Sequence, residues 1–224
     1  MTTARYGAAR TSLRTSAIML VFTVVFTALM AFTYNATRPA IEASVQQAQL
    51  ALVGEILPPG SYDNALLDDV LRPGAAAALG FADARVWRAR RGGEPVALVV
   101  EAEAPDGYAG RIGLIVAVAA DGRLLGARVT RHKETPGLGD YVELAKDRNK
   151  HAPWIAQFAG LDAASLPLER WTVRKDGGAF DYRAGATISA RAVSRAVGRA
   201  VDYVQHNRDA LFAAQGGRNP GAGR

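Results

Sequence analysis

From Thr15 to Thr37 the chain carries no charged side chain. The centre of this run reads Ala17-Ile-Met-Leu-Val-Phe-Thr-Val-Val-Phe-Thr-Ala-Leu-Met-Ala-Phe-Thr-Tyr34, and no side of it is polar. A helix of 23 residues, rising about 1.5 Å per residue, is roughly 34 Å long, enough for a hydrocarbon core of about 30 Å. A cleaved signal sequence has a shorter apolar region of about 7–15 residues, followed by a small-residue cleavage site. Ala31-Phe-Thr-Tyr-Asn-Ala36 is a poor site of that kind. A helix buried in a soluble core would have a polar side. The expectation is an uncleaved membrane anchor over residues 15–37. Arg5, Arg10 and Arg14 precede it, which puts the N-terminus in the cytoplasm and everything after Arg38 on the other side.

Charge supports the same reading. The chain has 27 Lys and Arg against 21 Asp and Glu, a net +6. Residues 1–38 hold four arginines and no acid, leaving only +2 for the rest. The basic excess flanks the apolar run, so it points to a membrane and not to nucleic acid. The absence of cysteine excludes thiolate-held iron–sulfur clusters, attached c-type haem, zinc–thiolate sites and disulfides. His132, His151 and His206 show no metal-ligand spacing.

After the anchor, Ile41, Val45, Ala48, Leu52 and Ile56 recur at helical spacing behind Pro39, a plausible first helical residue. They predict an amphipathic helix that packs on the domain and stops at Pro58-Pro59-Gly60. Asn64 to Leu71 reads as a second, short helix. Arg85–Arg90 and Pro95–Glu101 flank the turn Arg91-Gly-Gly-Glu94 and predict a hairpin. Pro105 to Gly110 is another turn. Arg111–Val118 is almost continuously apolar, as in a central strand covered on both faces. Asp121-Gly122 turns into a fourth strand, Leu124–Thr130. The four make an antiparallel meander.

Beyond it lie a Gly/Pro-rich loop, Arg131–Asp140, and a helical stretch from Tyr141. A short helix with inward aromatics is expected at Ala152–Phe158, a strand at Trp171–Arg174 and a turn at Lys175–Gly178. The last helix follows Thr187, with Ile188, Ala192, Ala196, Ala200 and Val204 on its apolar face and Arg191, Arg195 and Arg199 on another.

The stretch Asp181-Tyr-Arg-Ala-Gly-Ala-Thr-Ile-Ser189 joins loop to helix. Small residues there can mean only close packing, with Thr187 or Ser189 as helix cap. The same features suit a phosphate. A helix N-terminus offers free N–H groups and a positive dipole end, Gly185 and Ala186 leave room, and a hydroxyl could be esterified. Arg191 lies one turn in. Gly-rich nucleotide fingerprints and a nucleophile elbow are absent from the sequence.

Asp181-x-x-Ala184-Gly185-Ala186-Thr187 resembles the flavinylation motif of membrane redox subunits, in which FMN is joined by a phosphoester to the final threonine. With Glu134-Thr-Pro-Gly-Leu-Gly139, Trp154-Ile-x-x-Phe158, Asp176-Gly-Gly-x-Phe-Asp181, Asp106-Gly-Tyr-x-Gly110 and the anchor, the chain from about residue 15 to 207 looks like the G subunit of the Rnf (Rsx) electron-transport complex. The resemblance implies an α+β chain: one N-terminal transmembrane helix, then a compact FMN-binding domain with an antiparallel sheet and packed helices. It implies FMN bound covalently at Thr187, with Asp181, Gly185 and Ala186 in the recognition motif. Glu134, Thr135, Gly137, Leu138 and Gly139 match the loop expected to line the flavin ring. Two departures stand out. Ala184 replaces the family's usual Ser or Thr, and Ser189 stands where another Thr is common, keeping a second hydroxyl in play.

The implied function is a one-electron flavin relay between ferredoxin and NAD, coupled to ion movement, alongside other membrane and iron–sulfur subunits. A flavin transferase would load the FMN from FAD. The expected setting is the bacterial inner membrane, crossed once, with the FMN domain in the periplasm. The alternatives are the C subunit of a sodium-translocating NADH:quinone reductase, which shares domain and motif, and a non-redox membrane-tethered module. The expected layout is a cytoplasmic N-terminus (1–14), the anchor (15–37), linker and amphipathic helices (38–80), the FMN domain (81–212) and a disordered tail (213–224).

Overall fold

A computed structural model describes residues 3–58, 60–73 and 76–214. The chain divides into two compact units between Gln49 and Leu50.

The first unit is helical. Helix α1 spans Thr3–Gly54, and its last residues belong to the second unit. Its apolar side chains are exposed, Phe22, Phe26 and Met30 among them. Among the described residues it is the one helix long and apolar enough to cross a membrane. The hydroxyls of Thr23 and Thr33 donate to the carbonyls of Met19 and Leu29, each at 2.9 Å, so neither needs water. One expectation is corrected here. Pro39 does not begin a second helix but lies inside α1, where its missing N–H removes one backbone hydrogen bond. Of the helical stripe behind it, Leu52 and Ile56 belong to the second unit, where Ile56 is buried in a core and Leu52 packs against it.

The second unit is built on a five-stranded antiparallel sheet in sequence order: β1 (Val70–Leu71), β2 (Val86–Arg91), β3 (Glu94–Gly107), β4 (Gly110–Ala119) and β5 (Leu124–Arg131). The expected meander is present, extended by β1 at one edge. The short helix expected at Asn64–Leu71 is replaced by a turn and β1. Asn64 gives the reason. Its side-chain amide donates to the Arg88 carbonyl and its oxygen accepts the Arg90 N–H, both at 2.8 Å, so it binds the edge of β2 instead of a helix. Strand β3 continues through Pro105-Asp106-Gly107, with a register shift after Ala104, so the connection to β4 shrinks to Tyr108-Ala109.

Strand β4 is buried from Ile112 to Val118, as expected of a central strand. Its alternation sends Ile112, Leu114, Val116 and Val118 to one core and Ile115 and Ala117 to the other. The second core is closed by Val53, Ile56, Leu57 and Leu66. The first is closed by helix α2 (Thr187–Ala213) and an aromatic group of Trp154, Phe158, Trp171 and Phe180. Each fully buried aliphatic side chain contributes about 1.5–3 kcal/mol.

The segment between β5 and α2 holds less regular structure than its pattern suggested. The stretch from Tyr141 is a single 3-10 turn, Asp140–Val142, and Trp171–Arg174 makes only one bridge, Val173 to Phe180. Trp154–Phe158 is the expected short helix, with Pro153 before it and both aromatics buried. Helix α2 buries Ala192, Val193, Ala196, Val197, Ala200, Val201 and Val204, but Ile188, expected with them, is 43% exposed. Nor is the arginine row uniformly solvated. Arg191 pairs with Asp176, and Arg199 donates to the carbonyls of Ala78 and Glu103. Buried Arg88 binds Asp69 and the closing carbonyls of α2 at Leu211, Phe212 and Ala214, capping that end. Of the expected tail, residues 215–224 lie outside the described residues.

Gly198 is where α2 comes closest to the aromatic group. A Cβ there would lie 2.4 Å from Trp171 Cβ and 2.5 Å from its Cγ. Gly198→Ala is therefore expected to destabilise the domain by about 1–3 kcal/mol, as overpacking does, despite alanine's better helix propensity. Denaturant unfolding measures it.

Candidate functional site

Two loops meet at the start of α2. The first follows β5. The His132 Nδ1 accepts the Glu134 N–H at 3.0 Å, while Nε2 contacts Glu143 at 2.8 Å. The Thr135 carbonyl accepts the N–H groups of Leu138 and Gly139, both at 3.1 Å, closing a tight turn. Gly137 in that turn has φ +76°, which glycine adopts without strain.

The second loop carries residues 181–186 and is held through its backbone and through the Arg183 side chain. The Asp181 N–H donates to Gln157 Oε1 at 2.8 Å, and its carbonyl accepts Trp154 Nε1 at 2.6 Å. The Tyr141 hydroxyl accepts the Arg183 N–H at 3.2 Å and donates to the Ala186 carbonyl at 3.4 Å. The Arg183 guanidinium lies 4.4 Å over the Tyr141 ring and binds Asp147, which is fully buried. Asp147 also accepts the N–H groups of Asn149 at 2.8 Å and Trp154 at 2.7 Å. This lock fixes the loop's course into α2. Gly185, at φ +84°, completes the turn.

Burial pushes the Asp147 carboxyl up. The Trp154 and Asn149 N–H groups, with the Arg183 guanidinium, outweigh that and hold it below the usual carboxylate range. A carboxyl depressed in the folded state adds stability above its unfolded value, about 3.9, and loses it as pH falls through the lower folded value. Below about pH 4, stability of the parent chain is expected to fall more steeply with pH than that of Asp147→Asn, read by circular dichroism.

The two loops join through Glu134 and Ser189. The buried Ser189 hydroxyl donates to Glu134 Oε2, and Glu134 Oε1 accepts the Ala109 N–H at 3.1 Å. A Cβ on Gly139 would lie 2.9 Å from both Glu134 Oε2 and Ser189 Oγ, so this contact needs glycine. Between the loops is a pocket of about 60 Å³. Glu134, Thr135, Leu138 and Gly139 line it from one side, and Gly185, Ala186, Ile188 and Ser189 from the other, with Tyr108 beside them. Tyr108, Leu138 and Ile188 are 66%, 45% and 43% exposed, leaving an apolar rim.

Thr187 is the first residue of α2, between two lining residues, and is half-buried. The cap residue is Ala186, with no side-chain cap bond, so neither Thr187 nor Ser189 plays the capping role the sequence allowed. Among the described residues, nothing bonds the Thr187 hydroxyl. The helix therefore begins with uncapped N–H groups and a free hydroxyl, where an anion is favoured. Arg191 does not complete this anion site but is held by Asp176. Asp181 is also apart: its exposed carboxylate pairs with Arg174 at 3.0 Å and borders a separate open cleft of about 620 Å³ beside Trp154, Gln157 and Arg183. Gly137 shapes its turn without lining the pocket.

Sequence reasoning missed Tyr141, Asp147 and Arg183 as supports of the site. Asp147 and Arg183 are far apart in sequence, and no local pattern links them. Tyr108 and Ile188 had signals: the Asp106–Gly110 turn, and a position just after the Asp181–Thr187 motif.

Residues 107–202 match the family described as FMN-binding domain, and residues 1–56 match the RnfG N-terminal region. The chain is 42% identical over 198 residues to the G subunit of the ion-translocating oxidoreductase complex of Pseudoalteromonas atlantica, covering 88% of this chain and 90% of that one. To the corresponding G subunit from Pseudomonas aeruginosa it is 43% identical over 207 residues, covering 92% and 94%. To the one from Vibrio cholerae it is 39% identical over 201 residues, covering 87% and 90%.

Proposed function

The chain belongs to the family of G subunits of ion-translocating oxidoreductase complexes, and from that premise we propose that it carries its FMN as a phosphoester on the Thr187 hydroxyl. It is a membrane-anchored flavoprotein subunit of such a complex. The relatives favour this G-subunit reading over the quinone-reductase C subunit, and the FMN-binding family match argues against a non-redox tether.

The observation that carries the attachment is the contrast between two hydroxyls. Ser189 is buried and donates to Glu134, whereas Thr187 is half-buried and unbonded at an uncapped helix start. The helix N-terminus favours the phosphate, and Gly185 and Ala186 keep the approach small. The apolar rim of Tyr108, Leu138 and Ile188 suits one edge of a flavin ring, and the 60 Å³ pocket takes an edge, not the whole ring. When bound, FMN supplies one-electron chemistry. The protein's part is to hold it, exclude water from one side and set its surroundings. Thr135 and Gly139 support that wall, while Gly137 and Asp181 shape the loops.

On this reading a flavin transferase forms the bond from FAD. The Thr187 oxygen bonds to the flavin-side phosphorus, the anhydride bond breaks, AMP leaves and the hydroxyl proton passes to a base of the transferase. The Ala184 departure removes a hydroxyl from an exposed position. The anchor crosses the bacterial inner membrane once over residues 15–37, from a cytoplasmic segment 1–14, with the linker 38–80 and the FMN domain 81–212 in the periplasm. The partners are membrane and iron–sulfur subunits relaying electrons between ferredoxin and NAD. Intact mass and in-gel flavin fluorescence of denatured protein, co-expressed with a flavin transferase, test the proposal. One added FMN unit is expected, and none would defeat it.

A further inference from the structure

The pocket beside Thr187 contains a charge without a counter-charge. Glu134 is 3% exposed, and its carboxylate accepts hydrogen bonds from the Ser189 hydroxyl and the Ala109 N–H. Among the described residues, no Lys, Arg or His side chain bonds it. Its neighbour His132 is turned to the Glu134 backbone N–H and to Glu143. Arg131 binds Glu103 and Arg191 binds Asp176, while Arg148, whose Nη2 would lie 3.5 Å from a Cβ on Gly137, and Lys133 make no ion pair with the Glu134 carboxylate among the described residues. A buried ion is ordinarily paired, so an unpaired one kept at a pocket wall invites a functional reason. The surroundings are shaped to keep it there. A Cβ on Gly107 would lie 2.9 Å from Glu134 Oε1, and one on Gly139 would lie 2.9 Å from Oε2.

We propose that Glu134 sets the reduction potential of the flavin, holding it low by placing an uncompensated negative charge at the ring, with Ser189 moderating that charge through its hydrogen bond. This rests on the FMN reading above. A flavin tethered at Thr187 has its ring within reach of the pocket that Glu134 lines. Adding an electron beside a fixed negative charge in a site shielded from water is disfavoured electrostatically. Glu134 is thus a positioning and tuning residue, and the electron comes from and returns to the one-electron carriers of the complex. A low potential suits a relay that must pass electrons on from a strong reductant.

The test is a potentiometric titration of the flavin-loaded full chain in detergent, with dithionite as reductant and ferricyanide as oxidant, followed by flavin absorbance. Glu134→Gln keeps the shape and removes the charge. It is expected to raise the midpoint by a shift of at least tenfold in the oxidised-to-reduced ratio, about 59 mV for a one-electron step. Ser189→Ala removes the donor and leaves the charge less moderated, so its midpoint should fall. A structural disturbance would not move the two variants in opposite directions. Should Glu134→Gln fail to fold or load, the sign of the Ser189→Ala shift decides. Loaded Glu134→Gln with an unchanged or lower midpoint, or Ser189→Ala with an unchanged or higher one, overturns the proposal. Absence of any adduct on the parent chain would instead defeat the FMN attachment itself.

Discussion

Thr187→Ala is expected to abolish the proposed covalent attachment of FMN completely while leaving the fold intact. The hydroxyl makes no hydrogen bond among the described residues, and the residue stands at the first position of α2, outside the packed face. Its loss should change stability by no more than about 0.5 kcal/mol, as surface substitutions do. The variant should therefore melt like the parent and show neither the added mass nor in-gel fluorescence. Thr187→Ser keeps the hydroxyl and should retain the adduct in part. Ser189→Ala should keep it in full, because that hydroxyl is already given to Glu134. An adduct that persists in Thr187→Ala but disappears in Ser189→Ala would move the attachment point by half a helical turn and overturn the assignment.

Asp147→Ala should have the largest effect on stability. The carboxylate is fully buried and bound by two backbone N–H groups and the Arg183 guanidinium. Removing it leaves those donors unanswered and the guanidinium unpaired, a change that costs about 3–5 kcal/mol. At about 2–4 °C per kcal/mol for a domain of this size, the melting temperature should fall by roughly 6–20 °C. Arg183→Ala should cost less, since that side chain is 40% exposed and water replaces part of what is lost. Both variants free the Arg183–Ala186 turn, so both should slow flavin attachment with Thr187 still present. A double-mutant cycle read by thermal melting isolates the pair. Asp147→Ala melting within about 1 kcal/mol of the parent would show that the lock does not hold this loop.

The difference between these two variants matches what was legible in the sequence. Thr187 could be singled out there as a candidate because Asp181–Thr187 is a contiguous run, and its small residues, turn and helix start are local properties. The uncharged run 15–37, the two-sided burial of β4 and the hairpin turns were legible for the same reason: residue period and turn chemistry act over a few positions. Local reading failed where a distant partner intervened. Asn64 bound the edge of β2 in preference to a helix, and Ile188, in phase with the buried face of α2, stood at the pocket.

By itself, then, the sequence determined the elements whose signals are periodic or contiguous: the apolar helix, the meander, the last helix and the candidate threonine. Only the tertiary structure decided which of two hydroxyls stays free. It set Ser189 against a carboxylate 55 residues away, and it joined Asp147 to Arg183 to hold the loop. Those outcomes depend on burial and on hydrogen bonds between distant segments. A buried polar group must find its partner wherever the folded chain brings one, and no local pattern records where that will be.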